Sequence, residues 1–221
     1  MPYLRSILQN LVAAIAAPML LLMLTAPALA VEDGDTNRVV RDSARAAADS
    51  VDWSGGIVYG PGFAYYLHAD TGWVMDHTLE RPFDAMSVFY QRGYEPMGAP
   101  VYIISVLWYR DSDVTVPGAI DQYGDLFASQ CPDAQVKTCS SLVTARGDSV
   151  PVVQYLAYGS SIYERVAFCD APGVIVGIMI RSRYPGNFFE SMPAFANTVR
   201  SYLFLSNKVR IDRPKVPPDS T

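Results

Sequence analysis

The chain has 221 residues, of which 50% are hydrophobic, and a formal net charge of −5 at pH 7. A chain of this length can bury a substantial hydrophobic core in one domain. Its acidic balance, without a basic stripe that could follow a phosphate backbone, argues against nucleic acid as a partner.

Residues 1–30 have the three features of a secretory signal peptide: a basic start, an apolar middle and small residues at the cleavage site. Arg5 supplies the charge, the run from Leu11 to Leu24 is almost wholly apolar, and Ala28 and Ala30 occupy the cleavage positions. The uncharged run is also long enough to cross a bilayer, so an uncleaved membrane anchor is the alternative. Cleavage predicts a secreted or periplasmic protein with no membrane span left in the mature chain.

A single α+β domain is predicted over residues 53–205, after a polar, alanine-rich lead-in at 31–52 with the spacing of a helix. Strands are indicated at 57–59 and 63–68, on either side of the Gly60-Pro61-Gly62 turn, and then at 73–75, 85–90 and 101–109. The last of these runs is apolar almost throughout, which is typical of a strand buried on both faces.

The second half of the domain begins with a predicted helix from Pro117 to Cys131, because Ile120, Tyr123 and Phe127 recur at helical spacing. Strands at 139–145, 151–158, 163–169 and 174–181 are joined by short links, so they are expected to form an antiparallel meander.

A last helix carries one apolar stripe that should pack on the sheet: Phe188, Met192, Phe195, Val199 and Leu203. Residues 206–221 are basic and then proline-rich, and they are predicted to be a flexible tail. This order of elements indicates helices that cover an antiparallel sheet.

The chain has three cysteines, an odd number, so at least one thiol stays free or pairs with another chain. Cys131 and Cys139 bracket a short polar loop, and export would place them in an oxidising compartment. They are therefore predicted to form a disulfide. Cys169 lies in a strand and is interpreted as a small buried hydrophobe.

The order Gly62-Phe63, a short gap, and then Gly72-Trp73-Val-Met-Asp resembles the opening of Mog/PsbP-like domains. Runs at 85–90, 100–104 and 151–155, the hairpin at 163–176 and the end of the last helix at 201–205 extend the resemblance over about residues 54–205. It implies an α/β/α sandwich with an antiparallel sheet of about six or seven strands. Asp70 stands where that opening often has proline, and the cysteines are not part of the pattern.

Members of that fold are mostly binding or accessory proteins, and no functional residue of theirs matches a position here, so no role is transferred. The leading hypothesis is an exported, non-catalytic accessory protein that acts through a protein partner, without a cofactor. One alternative is a carrier or sensor of a small apolar ligand that aromatic side chains hold between sheet and helix. The other is a hydrolase of unrecognised type.

Four residues are candidates for a metal site, since histidine and carboxylate are both good ligands: His68, Asp70, Asp76 and His77. Their spacing matches no metal motif, and ordinary surface or strand-end roles are the competing interpretation. A hydrolase would need Ser160, Ser161 or Cys169 beside one of these histidines.

Aromatic residues are concentrated in the first half of the domain, and part of this set is a candidate binding surface: Tyr65, Tyr66, Trp73, Tyr90 and Tyr109. Side chains alternate along a strand, so Tyr65 and Tyr66 must point to opposite faces. If helices cover both faces, all five belong to the core. If one face is bare, that face is an interaction surface.

Overall fold

The computed structural model describes residues 54–109 and 114–209, and the predicted signal peptide, lead-in and residues 210–221 lie outside the described residues. Ten strands are present in this part: β1 Gly55–Gly60, β2 Gly62–His68, β3 Trp73–Met75, β4 Ser87–Gln91, β5 Val101–Tyr109, β6 Gln135–Val143, β7 Ser149–Ala157, β8 Ile162–Ala171, β9 Val174–Ser182 and β10 Leu203–Val209. The α-helices are α1 Glu80–Phe83, α2 Val116–Gln130, α3 Pro185–Glu190 and α4 Met192–Ser201, with 3-10 turns at His77–Leu79 and Pro96–Gly98. The predicted α+β class is confirmed.

The main sheet has seven antiparallel strands in the order β3-β4-β5-β9-β8-β7-β6. The predicted meander of β6 to β9 is confirmed, since each of these strands pairs antiparallel with the next one in sequence. Links of only a few residues favour this pairing, because they keep consecutive strands side by side. Gly173 turns the chain between β8 and β9 with a φ of 81°, a left-handed conformation that glycine adopts without strain. The meander brings β9 beside β5 at the centre of the sheet.

Both faces of the main sheet are covered. Helix α2 packs on β7 and β8 on one face, while α4 packs on the opposite face. All nine residues of β9 are buried, and the hydrophobic run in β5 is buried at six of its nine positions. The prediction of a central strand enclosed on both faces is therefore confirmed.

The first two strands do not join the main sheet, which corrects the expectation of one sheet. They form a separate three-stranded sheet, β1-β2-β10, that lies over the face also covered by α4. Its inward side chains, among them Phe63, Tyr65 and Leu67, belong to the same buried cluster as the main-sheet residues Ile103 and Ile178. The Tyr65 hydroxyl also lies 2.8 Å from Ser105 Oγ of β5.

The last strand corrects the predicted tail boundary, because β10 continues to Val209 instead of ending at residue 205. It pairs antiparallel with β2 from the Leu203–Tyr66 pair onward, with register shifts on either side of Ser206. This pairing joins residues more than 130 positions apart, so no local signal in residues 206–209 could have indicated it.

The predicted last helix is divided into α3 and α4 at Ser191. Ser191 donates its backbone N–H to Asn187 and so closes α3, while Pro193 fits the first turn of α4, where its missing N–H costs nothing. Phe188, Phe195 and Val199 are buried as predicted, but Leu203 belongs to β10.

Candidate functional site

The predicted ligand His68 is the last residue of β2 and Asp70 follows the strand, and both form hydrogen bonds with other elements. His68 Nε2 lies 2.9 Å from the Ser54 hydroxyl, and its backbone N–H donates to Ser201 Oγ of α4. Asp70 Oδ1 accepts a hydrogen bond of 2.8 Å from the Asn197 amide. Both side chains tie β2 to its surroundings.

The other two predicted ligands, Asp76 and His77, belong to the 3-10 turn before α1. Asp76 accepts the backbone N–H of Thr78 at 2.8 Å and so caps that turn, and His77 Nδ1 is 2.5 Å from Glu80 Oε1 at the surface. Within residues 54–109 and 114–209, no group of three or more histidine, cysteine or acidic side chains is placed to hold a metal ion.

The predicted Cys131–Cys139 disulfide is wrong, since all three cysteines are free. Cys131 ends α2, whereas Cys139 packs against the cluster under α4, so the two thiols lie on opposite sides of the sheet. Burial raises the pKa of both the Cys131 and the Cys169 thiol. The interpretation of Cys169 as a small buried hydrophobe agrees with its exposure of 1%.

Of the five aromatic residues predicted to form a surface, Tyr65, Trp73 and Tyr90 are buried. Tyr65 points inward from the small sheet and Trp73 belongs to β3 of the main sheet, and both are part of the one buried cluster, which is why these side chains are core. Tyr109 is exposed and Tyr66 is half-buried. The aromatic cavity expected for an apolar ligand is thus filled by the rings themselves, as in the tilted contact of 5.7 Å between Tyr65 and Tyr202.

Within residues 54–109 and 114–209, no element covers the side of the small sheet that faces away from the main sheet, and we call this side the outer face. Ile57, Tyr66 and Leu203 are direct cross-strand partners, so they form one apolar row across β1, β2 and β10. Tyr59 extends the face along β1 with 55% of its surface exposed, and Ile57 is 43% exposed. The prediction that Tyr65 and Tyr66 point to opposite faces is confirmed, and Tyr66 lies on the outer face.

The four edge strands differ in how they are protected against pairing with another chain. Native edges are blunted by short length, bulges, lysine or proline. Strand β3 has only three residues, β6 has a register shift after Cys139 and carries Lys137, and β10 has two register shifts and Lys208. Strand β1 pairs with β2 in unbroken register over six residues and contains no charge or proline.

A cleft of about 440 Å³ lies between α4 and the strands β6, β7 and β8, and we call it the sheet–α4 cleft. Its apolar lining comes from both layers: Leu142, Val152, Met192, Phe195 and Ala196. Thr138, Cys139 and Ser140 add polar groups along β6, and the charged lining residues Lys137 and Arg165 are both basic. No local pattern in the sequence indicates this cleft, since its residues come from distant parts of the chain.

A larger cleft of about 710 Å³ lies at the end of the main sheet, beside the turn between β6 and β7. Arg146, Asp148 and Asp170 all line it, together with the buried Tyr202. The charged side chains that line this cleft therefore carry both signs.

A buried polar network lies under α2. Glu164 of β8 is fully buried and pairs with Arg181 of β9, with 3.0 Å between Oε1 and Nε. The Tyr123 hydroxyl donates to Glu164 Oε2 at 2.5 Å. Burial and the neighbouring Glu164 carboxylate raise the pKa of Tyr123 well above its usual range. The network joins α2 to the sheet, and its Glu164 side chain is not exposed to solvent.

Sequence reasoning missed the hydroxyl that accompanies His68. Ser54 supplies it, and in this serine–histidine pair Ser54 is 1% exposed while His68 is half-buried. The serines considered as nucleophiles lie elsewhere: Ser160 and Ser161 belong to the turn between β7 and β8, where Asp133 accepts hydrogen bonds from Gly159 and Ser160.

Among the described residues, no helix combines the length and the apolarity that a membrane crossing requires.

No protein-family model matches the chain, and no curated protein matches it. Among solved structures, the chain is similar to cyanobacterial PsbP, CyanoP, from Synechocystis sp. PCC 6803, whose structure was determined in solution. The two chains are 14% identical, the match covers 71% of this chain and 95% of that chain, and the TM-score is 0.46.

Proposed function

We propose that the protein is an exported, non-catalytic accessory protein that binds an extended segment of a protein partner along β1. The observation that carries this proposal is the unbroken, uncharged edge of β1 next to the apolar outer face, on which Ile57 and Tyr59 are exposed among the described residues. A partner strand added to β1 would gain main-chain hydrogen bonds, and its alternate side chains would continue the apolar row.

The choice of β1 follows from the contrast with the other edges. Charges and bulges make the edges of β6 and β10 poor templates, while an edge without such features is an open pairing site. Exposed apolar area next to that edge would otherwise remain in contact with water. A partner with an apolar, extended segment satisfies both features at once.

A binding role is supported by the placement of the residues that could act chemically. Glu164 and Tyr123 are sealed under α2, and the Ser54 hydroxyl is buried beside His68. A catalytic group must come within hydrogen-bond reach of its substrate. In the described part of the chain these polar groups instead connect elements of the fold.

Export is proposed from residues 1–30, and the mature chain would then begin at Val31. N-terminal sequencing of the protein recovered from its own cells tests this. An N-terminus at Val31 in the soluble envelope or medium fraction supports export. An intact leader that stays with the membrane fraction would support the anchor instead.

Site-specific photo-crosslinking tests the partner. We replace Tyr59 with p-benzoylphenylalanine in the full chain, and as a matched control we replace Tyr184, which is 58% exposed at a position outside the small sheet. Irradiation in the native cells should give a defined adduct with another protein from position 59 and none from position 184.

Two edge substitutions distinguish strand addition at β1 from nonspecific hydrophobic association. Ile57→Lys places a charge on the β1 edge and should abolish the adduct from position 59, whereas Val136→Lys, on the exposed edge of β6, should not. Both changes should leave stability within about 0.5 kcal/mol of the parent, because the sites are exposed. Adducts only to residues 1–53 of the same chain, adducts to a second copy, or no effect of Ile57→Lys would each overturn the proposal.

A further inference from the structure

The sheet–α4 cleft has a one-sided charge in a protein that is acidic overall. Its basic lining residues are Arg165 and Lys137, and no acidic side chain is among the described residues that line it. The protein as a whole carries a net charge of −5. We propose that this cleft binds a small organic carboxylate with an apolar body, and that Arg165 pairs with the carboxylate group.

Arg165 has unused capacity for this contact. One terminal nitrogen donates to Gln154 Oε1 on the neighbouring strand, while the buried Nε–H has no hydrogen-bond partner in the part of the chain that the structure describes. Arg165 forms no ion pair with residues 54–109 or 114–209. A guanidinium has five N–H donors in a planar fork that matches a carboxylate. A half-buried cation without a counter-ion therefore favours an anion at this position.

Helix α4 adds to the preference for negative charge. The helix begins at Met192, which lines the cleft, so the positive end of its dipole lies near the cleft. This effect is smaller than that of Arg165, but it has the same sign.

The remaining lining selects the body of the ligand. Leu142, Phe195 and Ala196 present apolar surface from the sheet and from α4, so a purely inorganic anion would leave this surface in contact with water. A volume of about 440 Å³ is in the range of small-molecule sites, roughly 300–1,000 Å³. Carboxylate and apolar body together define an amphipathic acid of modest size.

Calorimetric titration of the full chain with octanoate, 1-octanol and inorganic phosphate tests the assignment, with backbone amide NMR shifts to locate the site. Octanoate should bind at the cleft and shift the amides of Leu142 and Ala196. 1-Octanol should bind more weakly, because it lacks the charge, and phosphate should bind more weakly, because it lacks the apolar body. Raising the salt concentration should weaken octanoate binding but leave 1-octanol binding unchanged.

Two kinds of variant test the residues. Arg165→Met should weaken octanoate binding roughly ten- to hundredfold and leave 1-octanol within about twofold. Leu142→Glu, which introduces an acid into the cleft, should abolish octanoate binding, whereas Val143→Glu on the opposite side of β6 should not. Equal affinity for octanoate and 1-octanol, unchanged binding in both Arg165→Met and Leu142→Glu, or no amide shifts at the cleft would overturn the proposal. These measurements do not involve β1, so they are independent of the proposed partner.

Discussion

Removal of Arg181 is the sharpest test of how the main sheet and α2 are held together. Arg181→Met keeps the length and most of the volume of the side chain but leaves the Glu164 carboxylate, which is 0% exposed, without its cation. Among the described residues, only the Tyr123 hydroxyl would still donate a hydrogen bond to that carboxylate. Breaking a buried pair in this way costs about 3–5 kcal/mol, because one charge remains buried without compensation.

The cost can be measured by chemical and thermal unfolding, followed by the fluorescence of the buried Trp108, which contacts Tyr123 edge-on at 6.1 Å. For a domain of this size, about 1 kcal/mol corresponds to roughly 2–4 °C in Tm, so Arg181→Met should lower Tm by about 6–20 °C. Arg183→Met removes an exposed arginine just after β9 and serves as the control, with an expected change within about 0.5 kcal/mol.

A double variant identifies the origin of the loss. Glu164→Met combined with Arg181→Met removes both charges, so it should be more stable than either single variant, since replacement of a whole buried pair by apolar residues is often neutral or stabilising. The reasoning would be refuted if Arg181→Met matched Arg183→Met, or if the double variant lost as much stability as the two single variants added together.

Three further predictions concern the cysteines, the packing of the central strands and the response to alkali. In the native, unreduced protein, a thiol reagent should modify Cys139 before Cys169, because the Cys169 thiol is buried and has a raised pKa. Mass spectrometry identifies the modified residue. A Cys139 that reacts only after reduction would show that it forms a disulfide. Gly177→Ala should cost about 1–3 kcal/mol in urea unfolding, because its new methyl group would lie 2.3 Å from the Trp108 ring, whereas Gly186→Ala has open space and should be near neutral; equal midpoints would contradict this packing. Because the pKa of Tyr123 is raised in the folded protein, this hydroxyl loses its proton at a lower pH in the unfolded state than in the folded state. Its contribution to the free energy of unfolding is therefore fully present below pH about 10 and is lost as the pH rises further. Tyrosinate absorbance of the buried rings should therefore appear together with unfolding, and complete ionisation in a still-folded protein would refute the assignment.

Much of the main sheet could be predicted because its signals are local. The short links at residues 146–149, 159–161 and 170–173 force consecutive strands to pair, and the helical spacing of Tyr123 and Phe127 identifies the buried face of α2. The candidate sites were predicted less well. Tyr65 and Tyr66 were assigned to opposite faces by alternation, but alternation does not show which face another layer covers.

The sequence by itself determined the strand and helix pattern, the antiparallel meander and the acidic character of the chain, because each depends on neighbouring residues or on composition. Tertiary structure alone decided that β2 pairs with β10 and that Cys131 and Cys139 lie on opposite sides of the sheet. It also decided that Arg165 and residues of α4 line the same cleft. These features depend on which distant segments pack together. That choice is set by the burial of the whole apolar surface, and no local periodicity encodes it.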